Sequence, residues 1–244
     1  MHSFFARRSG GIASISVAIH ASINDGRQWS AYRALLPQSV QLLTPDLLGY
    51  PKGGDWRAPS RVSLKDEARS LLPLLRAQPR PVDLVGHSYG AAVALQVALL
   101  WPELVRSLTL YEPVLFNMLM ADPDSHRQAM EITCIRQCVC ELVAQGRFSE
   151  AAELYVSYWG GDSAWTDLPE ARRASVIAKM PKVQAEFGAL FESRLDAARR
   201  SRGASGGGPH RPDHQAAPPG QSPVLAAGGG PDADGGVRPT APRS

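Results

Sequence analysis

The segment Gly86-His87-Ser88-Tyr89-Gly90 constrains this chain more than any other. It follows the apolar run Val82-Asp83-Leu84-Val85 and precedes Ala91-Ala92-Val93-Ala94-Leu95, a strong helix former. A strand that turns into a helix within five residues needs glycines where the chains approach closely, and it lifts the central residue out of the turn. Here that residue is a serine. A serine hydroxyl is a weak nucleophile until a base takes its proton and N–H donors receive the oxyanion. The pattern and its strand-helix context therefore make Ser88 a candidate nucleophile.

The surroundings alternate in the same way. Ile12 to Ile19 reads as a buried strand, with Ile15, Val17 and Ile19 alternating with smaller residues. Arg7-Arg8 before a mildly apolar stretch loosely resembles a targeting peptide, but the alternation favours a strand. Arg27 to Leu36 reads as a helix with Trp29, Tyr32, Leu35 and Leu36 on one side, and Val40 to Leu43 as a short strand. Ser63 to Ala77 carries a helical stripe (Leu64, Ala68, Leu71, Leu72, Leu75), with Ser63 and Asp66 spaced for a capping box. Leu104 to Tyr111 reads as a further strand. Strands alternating with helices predict an α/β fold, a three-layer α/β/α sandwich around a mostly parallel sheet with right-handed crossovers.

Strand signals stop after residue 123. Helical periodicity runs through Met130 to Ala144, Ser149 to Trp159 and Leu168 to Leu195. The expected organisation is a core over 12–123, a helical cap insertion over 124–196 and a tail over 197–244. Of the 48 tail residues, 33 are Gly, Ala, Pro or Arg, and none is aromatic. Such a composition does not bury enough surface to offset its ordering entropy, so a disordered C-terminal tail is expected. Codons rich in G and C encode this mixture, which matches an out-of-frame reading starting near Asp196 to Arg199. A natural flexible tail has the same composition.

The net charge of +3, from 26 Lys+Arg and 23 Asp+Glu mixed along the chain, argues against a dedicated nucleic-acid or membrane surface. No apolar run is long enough to span a bilayer, and a cytoplasmic location is expected. Cys134, Cys138 and Cys140 lack the paired spacing of a zinc site and read as small apolar residues on a helix, so no metal is expected.

These motifs together resemble the α/β-hydrolase superfamily, in its lipase- and esterase-like branch with a helical cap. His20-Ala21-Ser22 resembles the family's H-G-x oxyanion loop, with Ala21 departing from the usual glycine. Pro45-Asp46-Leu47-Leu48-Gly49-Tyr50 resembles its P-D-x-x-G-x loop, with Pro51 departing from a common glycine. Leu108 to Pro113 resembles the end of the strand after the nucleophile helix.

The resemblance implies Ser88 as nucleophile and the backbone N–H groups of Ser22 and Tyr89 as oxyanion hole. It implies His20 and His87 near the substrate, Asp46 as a loop brace, and Glu112 as a candidate acid. It implies a small-molecule acyl substrate and no cofactor, nucleic acid or membrane. Two expected parts are not recognisable. The family places its base histidine after the last strand, and His210 and His214 sit there without the motif. About four strands are recognisable where eight are usual. Two functions follow: an esterase-like hydrolase, or a hydrolase-derived protein of little or no turnover that lacks its base and last strands.

Overall fold

A computed structural model describes residues 12–192 of the chain. The tail over 197–244 lies outside the described residues, as do His210, His214 and the Asp196 to Arg199 stretch where the composition changes.

Four strands form one sheet: β1 (Ser14–Ile19), β2 (Val40–Leu43), β3 (Val82–His87) and β4 (Val105–Tyr111). Their order is β2-β1-β3-β4, and every pairing is parallel. The register pairs Val17 with Leu84, Ile19 with Gly86, and His87 with Tyr111. It therefore brings the carboxyl ends of β1, β3 and β4 level.

The period-2 alternation of β1 sorts its side chains between two helical layers. Ile15, Val17 and Ile19 join Leu84 in a large core with helices α2 (Leu64–Arg76) and α3 (Tyr89–Leu100). Ala18, Leu42 and Val85 face the opposite side, against Trp29 and Leu36. Those two residues flank helix α1 (Ser30–Leu35), which follows a 3-10 turn (Gly26–Trp29). Helices thus cover both faces of a parallel sheet, giving the three-layer α/β/α fold. α3 is apolar nearly all round because it packs on the sheet with almost no solvent-facing side.

The Arg27–Leu36 segment differs from its expected stripe. A 3-10 turn advances three residues per turn, so starting with one shifts the phase of the helix that follows. Trp29 is buried, but Tyr32 is exposed and Leu35 is 80% exposed. The Ser63 prediction matches: the Ser63 hydroxyl accepts from the Asp66 N–H at 3.1 Å, and Asp66 accepts from the Ser63 N–H in return.

After β4 the described chain is helical: α4 (Phe116–Ala121), α5 (His126–Ala144), α6 (Phe148–Gly160), α7 (Glu170–Ile177) and α8 (Met180–Glu192). Helical structure starts at Phe116, earlier than the expected cap boundary. Cys134 and Cys138 are exposed on α5 rather than packed. None of the described helices is long and apolar enough to cross a membrane.

α8 carries Val183, Phe187 and Leu190 at helical spacing into the main core. The neighbouring column of the same helix carries Lys182 and Glu186, also buried. Lys182 Nζ lies 2.6 Å from Glu67 Oε1 on α2, and the Tyr50 hydroxyl donates to Glu186 Oε1 at 2.8 Å. Tyr89 donates to Glu67 Oε1 at 3.2 Å, and the Leu48 N–H to Glu67 Oε2 at 3.0 Å. A buried charge is tolerated only when paired and hydrogen-bonded, and this network meets that need while joining the helical segment to the sheet half.

Candidate active site

Ser88 sits between β3 and α3 with φ 53 and ψ −118. A non-glycine residue there is strained and persists only where its surroundings over-determine it. The surroundings are close-packed backbone. A Cβ on Gly86 would stand 2.5 Å from Ala91 Cα, and one on Gly90 would stand 2.6 Å from the Ile19 carbonyl oxygen. Both distances lie inside contact, so only glycine fits at either position. The approach of Gly90 to the end of β1 sets the loop after β1 beside the serine.

That loop presents Ser22 next to Ser88 in one pocket. Neither the Ser22 N–H nor the Tyr89 N–H donates to another described group. The following residue, Ile23, is also held at positive φ (59°). Its N–H donates to the Tyr50 hydroxyl at 2.9 Å. Its carbonyl accepts from Lys179 Nζ at 3.0 Å and from Arg172 at 3.2 Å. Cations from the helical segment therefore grip the loop beside the serine.

Asp46 braces the same region, as its loop position predicts. Its carboxylate accepts from the Gly26 N–H at 2.7 Å and the Lys52 N–H at 2.9 Å. Asp25 caps the 3-10 turn by accepting the Arg27 N–H at 2.9 Å. The Arg27 side chain, hydrogen-bonded to it, holds the Asp25 carboxyl well below the usual carboxylate range. Ala21, at the position where glycine is usual, donates its N–H to Gln28 Oε1 at 3.0 Å.

The pocket is narrow: its free cavity volume is about 10 Å³, room for roughly one water, and it opens to solvent. Its floor is Ser22 and Ser88, and its walls include Val114, Phe116, Phe187 and Leu190. Tyr155, Trp159 and Glu186 also line it. Of the residues singled out from the sequence, Ser88 and Ser22 meet here, with Tyr89 immediately behind.

The two histidines expected near substrate lie elsewhere. His20 is fully buried beneath the loop. Its Nε2 accepts from the Leu47 N–H at 3.0 Å and its Nδ1 donates to the Ala21 carbonyl at 2.8 Å. Both nitrogens are used by backbone, which sets a neutral Nδ1–H tautomer, and burial lowers its pKa further in that direction. His20 is thus a brace of the loop after β1.

His87 follows the β3 alternation onto the face opposite the pocket. Gln28 Nε2 lies 3.0 Å from its Nδ1, and since Gln28 Oε1 already accepts from Ala21, the amide donates to the ring. His87 Nε2 faces Glu112 Oε2 at 3.5 Å. Glu112 itself stands at φ 46 at the end of β4, with its side chain 69% exposed. No hydrogen bond joins the Ser88 hydroxyl to a histidine among the described residues.

Glu67, Lys182 and Glu186 are not singled out by the sequence reading, although a signal is present. Glu67 falls within the Leu64–Ala68–Leu71–Leu75 stripe of α2, where a carboxylate needs a buried partner. Lys182 and Glu186 stand four residues apart beside the apolar column of α8.

Residues 17–242 match the model of the alpha/beta hydrolase family. The chain is 29% identical over 152 residues to lipase LipV of Mycobacterium tuberculosis, covering 62% of this chain and 51% of that one. It is 34% identical over 198 residues to an uncharacterized Mycobacterium bovis protein, covering 78% of this chain and 56% of the relative. The chain thus spans about half the length of the curated relatives it matches. A hydrolase from Pseudomonas aeruginosa superposes with a TM-score of 0.58 at 19% identity, covering 76% of this chain and 67% of that structure, which speaks to the fold. The chain belongs to the α/β-hydrolase family.

Proposed function

We propose that this site hydrolyses an ester, or a related acyl or C–C bond, through an acyl-enzyme on Ser88. One observation carries the reading: Ser88 is held at positive φ on a glycine-bounded turn, at the floor of an apolar pocket, beside two unengaged N–H groups. In the first step the Ser88 Oγ attacks the acyl carbon, its proton passes to the leaving alkoxide, and the alcohol departs. In the second step water attacks the acyl-enzyme, the acid leaves, and the hydroxyl is restored. The N–H groups of Tyr89 and Ser22 receive the oxyanion in both steps. Phe116, Phe187 and Leu190 supply the wall for an apolar acyl group, in keeping with a relative named as a lipase.

A fluorophosphonate tests the nucleophile directly, because it transfers its phosphonyl group to an activated serine and loses fluoride. The expected result is one phosphonyl adduct on the peptide that contains Ser88, absent from Ser88→Ala. An adduct retained in Ser88→Ala would refute the assignment.

A second reading has its own support. His20 and His87 have their ring nitrogens engaged away from Ser88. A chain without a base beside the serine would be a hydrolase-derived protein of little or no turnover, since losing a triad member removes several orders of magnitude of rate. It would react with the fluorophosphonate slowly and at a rate indifferent to pH across the histidine range.

A further inference from the structure

Glu186 is a buried carboxylate that lines the same pocket as Ser88. The residue is 1% exposed. Its Oε1 accepts from the Tyr50 hydroxyl, while its Oε2 is buried and has no partner at full hydrogen-bond geometry, the Ser22 hydroxyl being a nearby donor that bears on the carboxyl. A buried polar atom left unpaired is costly, and native structures rarely keep one without a use.

The neighbourhood decides what chemistry fits that oxygen. Lys182 Nζ lies 3.7 Å from Glu186 but 2.6 Å from Glu67, so this neighbouring cation is committed to Glu67. Burial, with the Glu67 charge adding to it, pushes the Glu186 carboxyl upward, against the pull of Lys182, Ser22 and Tyr50. A neutral carboxyl whose Oε1 accepts from Tyr50 presents Oε2–H as a donor. A hydroxyl is the ligand group that suits this atom in either state: it accepts from the neutral carboxyl and donates to the ionised one.

We propose that Glu186 Oε2 receives a hydroxyl carried by the acyl part of the ligand, so that the Ser88 pocket prefers hydroxyacyl esters to plain alkyl ones. The inference rests on the reading that this pocket holds the acyl group. It makes Glu186 a specificity residue on α8, lining the same pocket as the nucleophile.

Calorimetric binding to the full Ser88→Ala chain, which leaves the ester intact, tests this without turnover. The probes are ethyl hexanoate and its 3-hydroxy, 6-hydroxy and 6-amino derivatives. At least one hydroxy ester should bind about tenfold more tightly than ethyl hexanoate. Adding Glu186→Gln should keep most of that preference, since the amide both donates and accepts. Adding Glu186→Met should bring the ratio close to one.

Equal binding of all the esters, tightest binding of the amino ester, or a preference that survives Glu186→Met would each overturn the proposal. If Glu186→Met does not fold, the ratios measured with Glu186 intact and with Glu186→Gln decide it, because a purely structural carboxylate gives no hydroxyl preference. A chain that shows the preference but no Ser88-dependent turnover would refute hydrolysis and leave this inference standing. Turnover that ignores the hydroxyl would do the reverse.

Discussion

The floor of the pocket and the His87–Glu112 pair on the opposite face of the sheet are both built at the carboxyl ends of β3 and β4, yet they differ in how firmly they are held. On the floor, Ser88 is fixed by backbone that admits only glycine at 86 and 90, and the adjoining loop is tied by Tyr50, Asp46 and His20. On the opposite face, Glu112 stands mostly in solvent, facing His87 at 3.5 Å. The strained serine and the N–H groups beside it are products of tight local turns, so a short segment is enough to build them. An acid–base pair needs side chains from distant segments to converge on the serine. Among the described residues, long-range convergence builds the buried Glu67–Lys182–Glu186 group but brings no histidine into a hydrogen bond with Ser88.

The largest expected effect on stability comes from the link between the floor and the helical segment. Lys182→Met leaves Glu67 as a buried charge without its cation, and should destabilise the chain by about 3–5 kcal/mol in denaturant titration. A loss below about 1 kcal/mol would mean that the pair does not join the two halves. Next is Gly90→Ala, whose Cβ would press on the Ile19 carbonyl. It should cost about 1–3 kcal/mol through overpacking. A neutral result would show that the floor yields more easily than its contacts imply.

Asp25→Asn should cost about 1 kcal/mol by weakening the cap of the 3-10 turn. Its pH dependence has a definite sign. The folded Asp25 carboxyl lies below its unfolded value, so its contribution is present above the unfolded pKa of about 3.9 and is lost as pH falls through the folded one. Thermal melts of Asp25→Asn should therefore lose less stability in acid than those of the parent. The smallest effect belongs to the His87–Glu112 pair: Glu112→Gln should change stability by less than about 0.5 kcal/mol, as exposed positions do. A larger loss would show that pair to be as firmly built as the floor.

What the sequence discloses follows the same division. The turn at Ser88, the capping box at Ser63 and Asp66 and the alternation of β1 are short-range patterns legible from spacing, while the Asp46 brace follows from the resemblance of its loop to the family's. His20 is readable as part of the loop but not in its orientation. Residue type marks a histidine as a pocket candidate, whereas only the approach of the Leu47 N–H and the Ala21 carbonyl shows that its nitrogens are used. The Glu67–Lys182 pair joins residues 115 apart in the chain, and no periodicity reports such a partner. The stripe through Tyr32 and Leu35 misleads because the 3-10 start changes the phase of the helix.

Hydrolysis of p-nitrophenyl acetate by the purified 244-residue chain, set against Ser88→Ala, tests the central claim most directly. The account predicts release of nitrophenol that falls at least about a thousandfold on substitution, with the fold intact by circular dichroism. Equal rates from the two proteins would contradict it.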